Sequence, residues 1–358
     1  MEAIILAGGK GEGLSPYSDK EQKETISLLG RMLISYSIQG LKKAGIKDFV
    51  IVTSEKGKNR IEEDLIQSLK DVSVEVVVQK REGINGAIKD GMERVNSDTL
   101  VIAFGDILAP EEFYVSLINA YLTSGAEVVV PLVPVSEGLQ TYGLVKLTDK
   151  GIQITNEGST LALGGAYVVK NEEIDDLLNY LQSKGEKLKY FIWSEEWLDI
   201  GYPEDILNGI EMMLKKTETR ISDTSEISKT AVIGKKVIVD DYAIIDDYAV
   251  IKGPAYIGKN AYIGTYSLIR DYSAIENNAV IGAYCEIARS SVQPYAEVGS
   301  KSYLTSTIVG RKAKVGANVV VSSYPARVIR GRVSKLGALI SPEAQIPHGE
   351  ILKPGSRI

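Results

Sequence analysis

The sequence predicts two domains in tandem: an α/β domain with a mostly parallel sheet over 1–218, then a left-handed parallel β-helix over 219–358. Three observations carry this. Short apolar runs alternate with helix-period segments through the first half. The second half repeats every six residues. At 358 residues the chain has room for two domains of ordinary size.

The first apolar run, 3–6, ends at Gly8-Gly9 and reads as a buried strand closed by a turn. Residues 34–44 have helical spacing and stop at Gly45, a C-cap signal. The strand 48–53 follows, then an amphipathic helix over 60–69. Strands at 74–78, 100–104 and 127–131 alternate with helices at 86–95 and 110–122. Such alternation predicts a parallel sheet covered on both faces, with ligands beyond the carboxyl ends of its strands. Three loops then come together, 8–14, 79–87 and 105–107.

After a helix over 203–216 and a linker at 219–228, Ile227, Ile233, Val239, Ile245, Ile251, Ile257, Ile263, Ile269, Ile275, Ile281 and Ile287 stand six apart without a break. Two residues before each of the last ten comes a residue that is almost always small, from Ala231 to Cys285. Aliphatic side chains stacked inside a triangular prism, with small residues where the chain bends, explain both features. The phase breaks near 290–293, continues at Val292, Val298 and Leu304, and shifts again to Val309, Val315 and Val321. The basic stretch 322–335, with Arg327, Arg330, Arg332 and Lys335, reads as an excursion before Ile340, Ile346, Leu352 and Ile358 resume the period.

A net charge of −6 argues against nucleic acid as a partner. No apolar run approaches the roughly 20 residues that span a bilayer, and the chain enters its first strand without a basic leader. One cysteine, Cys285, excludes an internal disulfide and a cysteine-built metal site. A cytoplasmic location is expected.

The loop LAGGKGEGLSP, followed by QKETISLLGRMLI, resembles the signature of sugar-1-phosphate nucleotidylyltransferases with a hexapeptide-repeat domain, including the N-acetylglucosamine-1-phosphate uridylyltransferase and glucose-1-phosphate thymidylyltransferase types. The resemblance covers essentially the whole chain. It implies a Rossmann-like catalytic domain that joins a nucleoside triphosphate, UTP or dTTP first, to a sugar-1-phosphate with Mg²⁺ and releases pyrophosphate. Both reactants are anionic, so positioning and charge neutralisation supply most of the catalysis. By this resemblance Leu6, Ala7, Gly8, Gly9 and Gly11 cradle phosphate, Lys23 contacts it near the reacting centre, and Asp106 and Asp199 hold the metal. Gln79 and Gly83 match the base-reading segment, and Gly143 and Glu157 the sugar contacts. The prism implies a homotrimer, or a hetero-oligomer with a paralogous subunit.

The signature also departs from the family. Gly13 stands where relatives carry an arginine, Glu12 replaces a threonine, and Gln22 replaces a proline before Lys23. Ile84-Asn85 change the base segment, and in Leu163-Gly164-Gly165-Ala166-Tyr167 the sugar-binding asparagine of the family is lost, with Leu163 in its place. Lys10 and Lys20 flank the loop as possible substitutes for the missing charge. A non-catalytic regulatory or scaffold paralogue is the alternative. Acyl transfer in the prism is the third reading; it needs a general base, and the single histidine, His348, lies in the last repeats, while Pro294 stands where relatives place the base.

Overall fold

The computed structural model describes residues 1–136, 141–149, 151–324, 327–329 and 332–358. In chain order the first domain contains β1 (Glu2–Ala7), α1 (Tyr17–Lys20), β2 (Ser27–Leu28), β3 (Arg31–Met32), α2 (Leu33–Lys43), β4 (Asp48–Thr53) and α3 (Glu55–Arg60). There follow β5 (Ser73–Val78), α4 (Gly83–Met92), β6 (Thr99–Phe104), β7 (Ile107–Leu108), α5 (Glu111–Ser124), β8 (Val128–Pro134), β9 (Leu144–Thr148) and β10 (Gly151–Thr155). The domain closes with β11 (Leu161–Leu163), β12 (Ala166–Lys170), α6 (Leu177–Ser183), β13 (Leu188–Ile192), β14 (Leu198–Asp199) and α7 (Pro203–Lys215).

The main sheet runs β10-β9-β11-β8-β12-β6-β1-β4-β5, with β13 beside β8. It is mixed rather than mostly parallel. β6, β1, β4 and β5 are parallel, whereas β12 runs antiparallel to both β6 and β8. The reason is the connections. Helical crossovers separate the first four of these strands along the chain, which permits parallel pairing. β9 and β10 form a tight hairpin, β11 inserts between β9 and β8, and β12 inserts between β8 and β6, each antiparallel to both of its neighbours. Residues of alternate parity on β1 enter two cores, Ala3, Ile5 and Ala7 on one face and Ile4 and Leu6 on the other. The helix expected over 60–69 begins earlier, at Glu55, where Ser54 accepts the Gly57 amide as an N-cap. Past Arg60 it loosens into a π turn and a 3-10 turn.

The second domain is the expected left-handed prism. Its strands form three parallel sheets of eight, seven and seven strands, besides the hairpin excursion. The stretch 219–228 is not a free linker, since Arg220–Ile221 and Glu226–Ile227 already pair with the next coil. Ile245 through Ile287 are buried in one stack, together with Val292, Val298, Leu304, Val309, Val315, Val321, Ile340, Ile346 and Leu352. Ile358 is the exception and is exposed. Both phase shifts are single-residue deletions at a corner, so the coils stay in register and the aliphatic stack is unbroken. The excursion after Val321 carries the antiparallel hairpin Arg327–Ile329 with Arg332–Ser334. Arg330, and the side chains of Arg327 and Arg332, lie outside the described residues.

The sheet that begins at Arg220–Ile221 turns its outer face to the first domain. Tyr256, Ala274, Ile308 and Leu339 from that face bury against Leu14, Tyr17, Ile26 and Leu28 of the loop region and Ile206, Leu207 and Ile210 of α7. Among the described residues no helix is long and apolar enough to cross a membrane.

Candidate nucleotide and sugar-phosphate site

β1, β5 and β6 deliver their following loops to one end of the sheet. The Gly105 amide donates to Leu6 O at 2.9 Å, which joins the loops after β1 and β6. Gln79, just past β5, presses its Oε1 where a Cβ on Gly8 would stand, only 2.1 Å away. A side chain at Gly8 would have to push the flexible end of Gln79 aside, so the glycine lets the two loops meet as they do. Gln79 turns its amide inward, donating to Arg81 O at 2.7 Å and Gly83 O at 3.0 Å.

The loop bends at Gly11, whose φ of +63° is the left-handed region open to glycine. Ser18 Oγ donates to Gly11 O at 2.7 Å and braces that bend. Among the described residues the backbone amides of Gly9, Lys10, Gly11 and Glu12 donate to no acceptor. A run of unpartnered amides in a turn is an anion cradle. Lys10 and Lys20 are exposed and make no ion pair among the described residues.

Lys23 lies beneath this loop and pairs with Asp106, which follows β6. Burial works against the charge on Lys23, but Asp106 and Glu24, with Asp199 behind them, overcome it and hold the ammonium above its usual range. Asp199 comes alongside because β14 pairs antiparallel with β7, and Ile200 N donates to Asp106 O at 3.0 Å. Asp106 spends Oδ2 on Lys23, while its buried Oδ1 meets no partner. Two adjacent carboxylates, one with an unused oxygen, suit a hard divalent cation. Among the described residues no group of three His, Cys, Asp or Glu side chains is placed to hold a metal ion.

Two more residues complete the centre: Glu24, which sequence reasoning passed over, and Gln22, which it noted only as a departure before Lys23. Glu24 is 2% exposed, and its carboxyl is pushed up to about 7, chiefly by burial. Gln22 occupies the proline position of relatives and ties three segments. Its Nε2 donates to Gly9 O at 2.9 Å and to Glu24 Oε2 at 2.6 Å, and its Oε1 accepts from Ser54 Oγ at 2.6 Å. The sequence marks it only as a departure before Lys23, not as a tie between segments.

The structure thus gathers Leu6, Ala7, Gly8, Gly9, Gly11, Gln79, Gly83, Lys23, Asp106 and Asp199 at one end of the sheet. Gly143 stands apart on the antiparallel half, its carbonyl accepting from Leu163 N at 3.0 Å. Its neighbour Tyr142 packs on Trp197, ring centroids 5.9 Å apart. Tyr142 and Trp197 also line a cleft of about 1010 Å³ that reaches α7 and Arg289 of the prism but takes in neither Lys23 nor Asp106. Glu157 is exposed in the turn between β10 and β11, its amide held by Thr155 Oγ1 at 3.3 Å. It makes no contact with the Lys23–Asp106 pair among the described residues.

In the prism, His348 is exposed and its Nδ1 accepts the Ala317 amide at 2.8 Å, a brace between coils. The segment around Pro294 serves domain docking: Gln293 accepts the Ser27 amide and donates back to Ser27 O, both at 2.9 Å.

Residues 2–156 match the family model described as nucleotidyl transferase, and residues 251–353 match the GMPPB C-terminal domain. The chain is 26% identical to a low-salt glycan biosynthesis nucleotidyltransferase of Haloferax volcanii, over 60% of this chain and 66% of that one. It is 26% identical to a bifunctional sugar-1-phosphate nucleotidylyltransferase/acetyltransferase of Sulfurisphaera tokodaii, over 58% of this chain and 54% of that one. These matches span roughly half to two thirds of the relatives' own length. A Bacillus anthracis chain solved with sucrose as a glucose-1-phosphate thymidylyltransferase shares the fold, with a TM-score of 0.51, 23% identity, and 58% of this chain and 93% of that one covered.

Proposed function

Because its N-terminal domain belongs to the nucleotidyl transferase family, we propose that this protein transfers a nucleotidyl group from a nucleoside triphosphate to a sugar-1-phosphate, with Mg²⁺. One observation carries the reading most. Lys23 is paired to Asp106, with Asp199 alongside, below a loop whose amides from Gly9 to Glu12 are unpartnered.

An oxygen of the sugar phosphate attacks the α-phosphorus, a P–O bond forms, and the bond to the β-phosphate bridging oxygen breaks, so pyrophosphate leaves with that oxygen. The amides of 9–12 receive the polyphosphate oxygens and fix them in line. Lys23, kept protonated by its carboxylate neighbours, shifts from Asp106 toward phosphate charge as it develops. Asp106 and Asp199 would hold Mg²⁺, which supplies neutralisation of the triphosphate charge when bound. Gln79 favours a pyrimidine nucleotide, UTP or dTTP, once its amide turns from its own loop to the base. Gly143 and Glu157 are assigned to the sugar side. The prism is assigned to assembly, as a homotrimer or with a paralogous subunit.

The test is pyrophosphate release across UTP, dTTP, GTP and ATP with the common hexose-1-phosphates. Turnover in the wild type that Asp106→Asn abolishes supports the reading. No turnover with any pair overturns it and leaves the regulatory paralogue.

A further inference from the structure

Gly13 holds the place where relatives carry the loop arginine, and its surroundings explain why no side chain is there. A Cβ on Gly13 would lie 2.2 Å from the carbonyl oxygen of Gly201 and 3.3 Å from the Tyr202 ring. The loop has settled onto the turn between β14 and α7.

A guanidinium nevertheless meets the same residue from the other domain. Arg357 Nη1 donates to Gly13 O at 3.0 Å and to Ser15 O at 2.9 Å. Arg357 belongs to the last strand of the prism, Ser356–Arg357, in register with Leu339. Leu339 is fully buried in the cluster between the domains, so Arg357 stands on the sheet face that docks against the loop region. Among the described residues it makes no ion pair, so no carboxylate neutralises it.

The contact falls on a decisive peptide unit. In a planar trans peptide the carbonyl and the following N–H point opposite ways. The unit whose oxygen meets Arg357 carries the Leu14 N–H, which donates to Gly11 O at 2.8 Å. That bond closes the turn at the end of the open amides 9–12. Pinning Gly13 O therefore fixes the orientation of the whole cradle.

We propose that Arg357 is a positioning residue of the phosphate loop, holding its turn and bringing to it, from the last coil of the prism, the positive charge that position 13 no longer carries. The prism is then part of the phosphate site as well as an assembly module. The choice of phosphate chain as ligand rests on the function proposed above; the grip on the loop does not.

The experiment uses the full chain with Arg357→Ala and Arg357→Lys. Inorganic tripolyphosphate with Mg²⁺ is titrated by calorimetry, and amide exchange over 9–15 is followed. Arg357→Ala is expected to weaken tripolyphosphate about tenfold, a charge-assisted bond's share, and to speed exchange at Leu14 by a similar factor. KM for the nucleotide should rise with kcat changed less than about threefold. Arg357→Lys and low-millimolar guanidinium added to Arg357→Ala should each restore part of the affinity without moving the melting temperature. Unchanged exchange and affinity within twofold would overturn the proposal, as would a loss that tracks a lower melting temperature and resists guanidinium. If the wild type turns over no substrate pair while the exchange and tripolyphosphate effects hold, the catalytic reading fails and this one stands.

Discussion

The prism interior and the phosphate-loop segment 8–30 are built by opposite strategies. In the prism each buried aliphatic meets its counterpart one coil away, in the same position of the repeat. Around the loop, the side chains that matter find partners 83, 247, 266 and 344 residues distant. Repetition makes the first region stable by rule. The second is stable only through particular polar pairs across a domain boundary.

Glu276 shows the difference inside one strand. Its neighbour Ile275 continues the aliphatic stack, while Glu276 turns outward and accepts Leu29 N at 2.9 Å and Gly30 N at 2.7 Å. Leu29 needs that help, since its φ is +50°, unusual for a branched side chain. The segment leading from Lys23 into α2 is thus held open by a carboxylate of the prism.

The sharpest separation of the two regions is catalytic. Lys23→Ala or Asp106→Asn should lower kcat of the folded protein by roughly 10²–10³, the usual effect of removing one preorganised charge, and should lower the melting temperature as well, because the partner is left largely buried and unpaired. Truncation in the stack affects stability alone. Ile263→Ala should cost about 2–5 kcal/mol of stability in denaturant unfolding, with kcat of the remaining folded protein preserved. Between these lies Glu276→Ala, which leaves two backbone donors unpaired. It should cost about 1–3 kcal/mol and also weaken nucleotide binding, because the loop segment depends on it.

Gly13→Arg with Glu12→Thr would restore the family signature on paper. It should not restore function, since the Cβ at position 13 collides with Gly201 O. Activity equal to or below wild type, measured with a lower melting temperature, is the expected outcome; a clear gain would show that the loop has room after all.

The smallest effect concerns pH. Burial pushes the Glu24 carboxyl up to about 7, from about 4.5 when exposed. A carboxyl whose folded pKa is raised binds more protons folded than unfolded between those values. Its contribution to stability is therefore greatest below about pH 4.5 and declines as pH rises toward 7. Glu24→Gln keeps an acceptor for Gln22 and removes the titration, so melting temperature against pH should flatten between 5 and 8. Glu276, also pushed up to about 7 by burial, adds a decline of the same sign that this substitution leaves in place.

The same contrast explains what the sequence revealed. The prism's aliphatic stack was legible, phase shifts included, because burial repeats with the period; its two ends were not, since 219–228 already pairs with the next coil and Ile358 is exposed. The loop was legible because Gly8, Gly9 and Gly11 follow an apolar strand, and the structure places Lys23, Asp106 and Asp199 together beside it. The antiparallel half of the sheet was missed, because β11 and β12 insert between strands that are not their neighbours in the chain, and nothing local in the sequence marks that order. Glu24, Glu276 and Arg357 carry no local signal, and Gln22 only that of a departure before Lys23. Their roles exist only once residues far apart in the chain are folded against one another, and the clash that forbids a side chain at Gly13 is likewise a contact with a distant carbonyl.

The most direct measurement is a calorimetric titration of Mg²⁺ with UTP, dTTP or GTP into the wild type and into Asp106→Asn. Binding of a pyrimidine triphosphate that needs Mg²⁺ and is lost in Asp106→Asn is the result expected of an intact nucleotide site. No binding to the wild type, or equal binding to both proteins, would contradict it.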